Sequence, residues 1–249
     1  MPRNYGWKPD VPDFRDFKLS ASREDASLLP KTADLRALMP PVWDQGQLGS
    51  CTGHAIGAAI EFEQRKVHPK WDFMPSRLFI YYNERNIEGT INSDAGAMIR
   101  TGIKTINTIG VCREDLWTYD ETKFTVKPPK AAYDNAVKHH ALQYQRVPQT
   151  VDAMKRVIAG GNPFVFGFSV YESFESDTVA SSGIVPMPLT TEKLIGGHAV
   201  CACGYDDNYL LVRNSWSSGW GIGGYFKFPW DYAVNSNLTD DLWVISSMQ

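Results

Sequence analysis

The sequence predicts an α+β fold with two lobes. Helical periodicity dominates the first half of the chain, whereas apolar runs typical of β-strands dominate after about residue 142. Helices followed by strands are characteristic of α+β proteins. A length of 249 residues allows either one large domain or two smaller lobes. We therefore expect a leader over residues 1–28, a helical lobe over 29–142 and a β-rich lobe over 143–249.

The leader is polar, rich in proline and aspartate, and without periodicity. We expect it to lie as an extended segment on the surface of the folded body. Two acidic pairs, Glu24-Asp25 and Asp240-Asp241, are typical of solvated turns. Proline and glycine between residues 29 and 50 predict a shaped loop.

Three helices are predicted in the first half. The first runs from residue 50 or 51 to about 66, and its apolar early turns predict a central position. The second is predicted at about 75–86, where a proline precedes it, and the third at about 95–109, where a glycine ends it. In the second half, one helix is predicted at about 150–160. Strands are predicted over residues 164–170, 199–205, 209–214 and 224–228.

Composition and charge exclude some classes of function. The net charge is −3, and no block of like charges offers a surface for nucleic acid or an anionic membrane. No apolar run approaches the roughly 20 residues needed to span a bilayer. The four cysteines are too few for a disulfide framework, and the N-terminus lacks a secretory signal pattern. These two observations favour the cytoplasm.

Three separated segments carry residue types suited to nucleophilic chemistry. Cys51 follows a glycine-bearing loop at the start of a helix, where the helix dipole stabilises a thiolate. His198 lies at the mouth of a predicted strand, and Asn214 ends another before a loop rich in glycine and tryptophan. An imidazolium can stabilise a thiolate and later protonate a leaving amine. One amide can orient the imidazole, and another, in front of the cysteine, can donate to an oxyanion.

These segments resemble the papain family of cysteine peptidases. The matching patterns are Q-G-x-x-G-S-C ending at Cys51, G-H-A-V around His198, and N-S-W-x-x-G-W-G-x-x-G-Y-F beginning at Asn214. The resemblance implies a two-lobed papain-like fold, with a helical lobe, an antiparallel β-barrel-like lobe and an active-site cleft between them. It also implies hydrolysis of peptide bonds through a thioester acyl-enzyme, with peptide or protein substrates, a monomeric chain and no cofactor or metal.

Site residues follow from the resemblance. Cys51 would be the nucleophile and His198 the acid and base. Asn214 would orient His198, and Gln45 would donate to the oxyanion. Trp216 would shield the hydrogen bond between Asn214 and His198 and shape the leaving-group side of the cleft.

A weaker match concerns substrate binding. Gly96 resembles the family glycine whose backbone pairs with an extended substrate. Ala97 and Met98 would then line the pocket for the substrate's second residue upstream of the cut. Met98 also fits a core position.

The chain departs from the family in several places. Leu48 stands where many members have a disulfide-forming cysteine, Thr52 replaces an aromatic residue, and Gly197 replaces an acidic or polar one. The leader is too short for a helical prosegment, and we expect it to regulate access by crossing the cleft or bracing the lobes, as in a zymogen. His54 could be called a metal ligand, but a core position is favoured. Two other functions stay open, an acyl transferase or peptide ligase and a non-catalytic peptide-binding module.

Overall fold

A computed structural model of the chain describes residues 3–20, 28–68 and 73–248. The predicted turn at Glu24-Asp25 lies outside the described residues. The described helices are α1 (Cys51–Val67), α2 (Arg77–Ile87), α3 (Ile99–Thr108), α4 (Lys130–Ala136), α5 (Val151–Ala159), α6 (Asp177–Ser182) and α7 (Trp230–Val234). The described strands are β1 (Trp7–Lys8), β2 (Ala33–Asp34), β3 (Ala97–Met98), β4 (Ala141–Arg146), β5 (Phe164–Tyr171), β6 (Leu194–Tyr205), β7 (Tyr209–Arg213), β8 (Tyr225–Pro229) and β9 (Thr239–Met248).

Helix α1 is the central helix of the fold, as its apolar sequence predicts. Every residue from Cys51 to Gln64 is buried. The helix packs against strand β6 on one side and against α2 and α3 on the other. Burial on all faces requires an apolar sequence around the whole helix, which is what its early turns provide. The N-terminus of α1, and with it Cys51, is thereby fixed between the helices and the sheet.

Helix α3 begins four residues later than predicted. Gly96 adopts a positive φ of 67°, which interrupts helical geometry. Ala97 and Met98 then pair in parallel with Trp7 and Lys8 of the leader. The helical periodicity of the sequence therefore extends over residues 95–98, although the backbone of Ala97 and Met98 pairs with the leader.

Seven strands form one mostly antiparallel sheet in the order β4-β9-β5-β6-β7-β8, with β2 added to β6. Within the described residues no pairing joins the edge strands β4 and β8, so the expected barrel-like lobe is an open sheet. The division into lobes at residue 142 stays a prediction. The sequence does not predict strand β9, because the acidic pair at its start is typical of a solvated turn. That prediction is wrong, since Asp241 is buried and ion-paired inside the strand.

Two apolar clusters cover the two faces of this sheet. One lies between α1 and the sheet, and the other gathers the phenylalanines of β5 and β8 on the far side. Leu48, at the position of the family cysteine, packs in a third small cluster with Leu78, Tyr81 and Ala97. All four cysteines are buried and free. None of the described helices is long and apolar enough to cross a membrane.

Candidate active site

Cys51 is the first residue of α1 and is fully buried. Its sulfur accepts a hydrogen bond from the backbone N–H of Ala199 at 3.4 Å. Because Ala199 follows His198 on β6, this contact brings the strand that carries the histidine against the cysteine. The sulfur also lies at the positive end of the α1 dipole, which stabilises a thiolate.

His198 and Asn214 form the hydrogen bond that the sequence predicts. His198 Nε2 lies 2.8 Å from Asn214 Oδ1, and that oxygen also accepts the backbone N–H of Ser215 at 2.8 Å. Since the amide oxygen is the acceptor in both contacts, Nε2 carries the proton and Nδ1 is left as an acceptor. Nδ1 has no hydrogen-bond partner among the described residues. Trp216 stacks on the imidazole at 5.1 Å between ring centroids and excludes water from this pair.

The side-chain amide of Gln45 is held in one orientation. Its oxygen accepts the hydroxyl of Ser215 at 2.6 Å, and its Nε2 donates to the carbonyl of Leu48 at 2.9 Å. The same Nε2 lies 3.4 Å from the carbonyl of Asn4 in the leader. One side of the amide nitrogen is therefore held by its own loop, and the other faces the leader in the cleft. Ser215 was not identified from the sequence, although its place directly after Asn214 in the third motif was an available signal.

The leader passes directly over the nucleophile. The Gly6 carbonyl accepts the N–H of Ala97 at 2.7 Å. The Gly6 backbone N–H is close enough to the Cys51 sulfur to oppose the rise in the pKa of its thiol. A Cβ at Gly6 would lie only 1.7 Å from the carbonyl oxygen of Gly49, so no other residue fits this path without displacement. The structure thus shows the cleft-crossing version of the leader expectation.

The leader also covers the histidine side of the cleft. The Tyr5 ring meets His198 edge-on at 5.8 Å between centroids, and its hydroxyl donates to Glu175 at 2.5 Å. Arg3 lies over the ring of Trp216, with its guanidinium carbon 4.6 Å from the ring centroid. Cys51 and His198 are both fully buried as a result.

The leader contacts the residues that are predicted to bind substrate. A Cβ at Gly96 would lie 2.1 Å from the Gly6 carbonyl oxygen, so this glycine permits the close backbone approach. Ala97 supplies its N–H to the leader while its side chain packs in the small cluster around Leu48. Met98 is half-buried, and its N–H donates to Glu88 at 2.9 Å.

Five charged side chains anchor the rest of the leader. Arg100 donates to Asp16 at 2.5 Å, and Arg146 donates to Asp10 and Asp16 at 2.8 Å each. Arg146 also reaches Asp241 of β9 at 3.1 Å. Burial raises the pKa of Asp10, and burial together with the neighbouring Asp10 raises the pKa of Asp241 to about 7. Sequence reasoning missed this cluster because its members are spread over residues 10–241.

Burial by the leader changes the protonation of the reacting pair. It raises the pKa of the Cys51 thiol to about 11 and lowers the pKa of His198 to about 4, although the bond to Asn214 opposes the latter shift. Both side chains are therefore neutral at pH 7. A buried ion pair is disfavoured because both charges lose their hydration.

Thr52 and His54 lie on the buried side of α1. The Thr52 hydroxyl donates to Glu84 at 2.7 Å, and burial raises the pKa of Glu84 to about 8, so this carboxyl is neutral at pH 7. His54 Nδ1 lies 3.0 Å from the Ser50 carbonyl, in a core position. Over residues 3–20, 28–68 and 73–248, no three side chains of histidine, cysteine, aspartate or glutamate are grouped to hold a metal ion.

Comparisons with known proteins agree with this geometry. The sequence profile described as papain family cysteine protease matches residues 29–242. An uncharacterised peptidase C1-like protein of Acanthamoeba polyphaga mimivirus is 45% identical over all of this chain and 88% of its own length. The crystal structure of xylellain, a cysteine protease from Xylella fastidiosa, is 42% identical, with a TM-score of 0.93 over 100% of this chain and 99% of that chain. A procathepsin B from Trypanosoma congolense, 16% identical, shares the fold with a TM-score of 0.78 over 98% of this chain and 86% of its own.

Proposed function

The chain belongs to the papain family of cysteine proteases, and on that premise we propose that it hydrolyses peptide bonds through a thioester on Cys51 once its leader has left the cleft. The observation that carries the proposal is the hydrogen bond between His198 and Asn214. His198 lies on β6, the strand whose Ala199 N–H contacts the Cys51 sulfur. The bond to Asn214 leaves His198 Nδ1 free to take the thiol proton.

The first half of the reaction forms the acyl-enzyme. The Cys51 thiolate attacks the scissile carbonyl carbon, forming a C–S bond and an oxyanion. The Gln45 amide and the Cys51 backbone N–H donate to that oxyanion. The C–N bond then breaks as the His198 imidazolium protonates the leaving amine.

The second half releases the acid. His198, now neutral, takes a proton from water as the water oxygen attacks the thioester carbon. The C–S bond breaks, and Cys51 leaves as the thiolate. Asn214 keeps the imidazole tautomer and tilt constant through both halves, and Trp216 shields the bond between them.

Latency follows from three properties of the bound leader. The leader fills the cleft, keeps both reacting side chains neutral, and turns the Gly6 carbonyl towards Ala97 rather than towards Gln45. We propose that displacement or cleavage of the leader is the activating event. The monomeric state, the cytoplasmic location and the lack of nucleic-acid or membrane partners stay predictions.

The proposed function is tested with a peptidyl epoxide and the chain freed of its leader. We expect one covalent adduct on Cys51 by intact mass and peptide mapping, and turnover of fluorogenic peptides. Cys51→Ala should show neither. Absence of an adduct on a folded, leader-free chain would exclude a cysteine peptidase. Product analysis with an added amine distinguishes hydrolysis from acyl transfer. Turnover of the fluorogenic peptides excludes a non-catalytic binding module.

Asp16→Ala is expected to loosen the leader in the full-length chain. It leaves the Arg100 guanidinium without its carboxylate and removes one partner of Arg146. Removal of one partner from a buried ion pair costs about 3–5 kcal/mol. Because Arg146 keeps three other carboxylates, those of Asp10, Asp240 and Asp241, we expect the lower value, roughly a 100-fold larger released population. The rate of Cys51 labelling by the epoxide measures that population.

Asp13→Ala is the matched control for this variant. Asp13 lies three residues away in the same leader, and its carboxylate pairs with Arg15 in an exposed contact within the leader. Labelling of Asp13→Ala should stay near the native rate. Equal labelling of the two variants would show that the charge cluster does not hold the leader.

A further inference from the structure

The leader places one side chain, Trp7, in a recess next to the nucleophile. Trp7 follows Gly6, the residue over Cys51, and is only 8% exposed. Its indole lies on the sheet where Gly167 of β5 and Gly197 of β6 are diagonal neighbours on one face. Cβ atoms added at these glycines would lie 2.0 Å and 2.7 Å from indole ring atoms. The recess therefore exists because both positions are glycine, and it has the shape of a flat ring.

A buried carboxylate closes the far end of this recess. The indole Nε1 donates to Asp241 Oδ2 at 3.0 Å, and the backbone N–H of Asp10 donates to the same oxygen at 2.7 Å. The other oxygen, Oδ1, accepts from Arg146 at 3.1 Å. Departure of the leader removes both donors from Oδ2 and leaves the Arg146 contact in place. The emptied recess then ends in a carboxylate oxygen that is aimed into it and has lost its donors.

We propose that Asp241 determines side-chain selectivity, so that the recess of the released enzyme prefers a substrate tryptophan two residues upstream of the cut. The inference rests on the proposed function, which it supplies with a substrate class. A flat aromatic ring fills the space over Gly167 and Gly197, and an N–H at its far end restores the hydrogen bond to Oδ2. Phenylalanine fills the same space but leaves the buried acceptor unpaired, which a protein site discriminates against strongly.

The local charges favour a neutral donor over a cation. Without the leader, Arg100 and Arg146 lose their contacts with Asp10 and Asp16. Both arginines stay beside the recess with Asp240 and Asp241. Arg146 lies against Asp241 and repels a second guanidinium. Tryptophan should therefore be preferred over arginine.

The test compares fluorogenic peptides that differ only in tryptophan, phenylalanine or arginine at that position. The enzyme is the full chain carrying Gly6→Val, in which a Cβ would meet the Gly49 carbonyl oxygen and disfavour binding of the leader in the cleft. We expect kcat/KM for the tryptophan peptide to exceed that for the phenylalanine peptide by about 10- to 100-fold. A ratio near one, or a preference for arginine over tryptophan, would overturn the proposal.

Asp241→Asn, added to this chain, isolates the carboxylate. Arg146 donates to the near oxygen, so it holds the amide oxygen and turns the amide NH₂ towards the recess, where it cannot accept an indole N–H. The tryptophan-to-phenylalanine ratio should fall at least about 10-fold. Asp240→Asn makes the same charge change at a neighbouring, half-exposed side chain and should keep the ratio. An unchanged ratio in Asp241→Asn refutes the inference, whereas failure of every peptide and of epoxide labelling refutes the proposed function instead.

Discussion

Gly6→Val in the full-length chain is expected to raise peptide hydrolysis and epoxide labelling of Cys51 by roughly 10- to 100-fold. A Cβ at this position would lie 1.7 Å from the backbone oxygen of Gly49, which belongs to the loop before α1. A backbone atom of that loop cannot move away as a flexible side chain would. Overpacking of this kind costs about 1–3 kcal/mol or more, and the leader can relieve it only by leaving the cleft.

Phe14→Ala provides the control for the glycine variant. Phe14 lies in the same leader but is 93% exposed, so its removal should leave both rates near the native value. Thermal unfolding of all three chains verifies that the body stays folded. If Gly6→Val hydrolyses peptides no faster than the native chain while Cys51 stays unlabelled, the leader does not control access through this contact.

Sequence reasoning succeeded where the site depends on local signals. The start of α1 at Cys51 and the strands next to His198 and Asn214 are each marked by a motif and by periodicity. Strand β6 begins at Leu194, five residues before the predicted start at residue 199. Helices α1, α2 and α5 were placed within about two residues because their apolar spacing and capping residues are local properties. The family motifs then supplied the partners, which local patterns alone cannot do.

The features that the sequence did not predict correctly depend on contacts between distant segments. The third helix was predicted too early because only the leader, some 90 residues away, turns Ala97 and Met98 into a strand. The sequence predicts a solvated Asp241 because an aspartate pair carries no local sign of a buried arginine partner. The sequence of the leader allows two positions, and the contacts of Gly6 with Gly49 and Ala97 and of Tyr5 with His198 distinguish them.

Release of the leader is also expected to move the pH dependence of Cys51 alkylation towards acid. In the native chain burial raises the pKa of the thiol to about 11, so roughly one molecule in 10⁴ carries a thiolate at pH 7. In the Gly6→Val chain the sulfur keeps the α1 dipole, regains water and pairs with an imidazolium. These conditions bring a cysteine pKa into the range of about 3.5–7.5. A lower pKa means that the thiolate forms at lower pH, so the inflection must move down in pH on release.

The size of the change follows from two opposing effects. The thiolate fraction at pH 7 rises by about 10⁴, whereas a fall of about five pKa units lowers intrinsic nucleophilicity by roughly 10², given a Brønsted coefficient near 0.45. The gain from ionisation wins, and we expect alkylation by iodoacetamide at pH 7 to be about 100-fold faster in Gly6→Val, beyond any steric relief. For the native chain, the alkylation rate should rise throughout the range from pH 5 to 10. For the variant, the rate should reach its plateau before pH 8 and stay constant above it. Peptide mapping assigns the adduct to Cys51 rather than to the other buried cysteines, and Cys51→Ala supplies the background. A single shared inflection in both chains would mean that the leader blocks the cleft without changing the charge state of the pair.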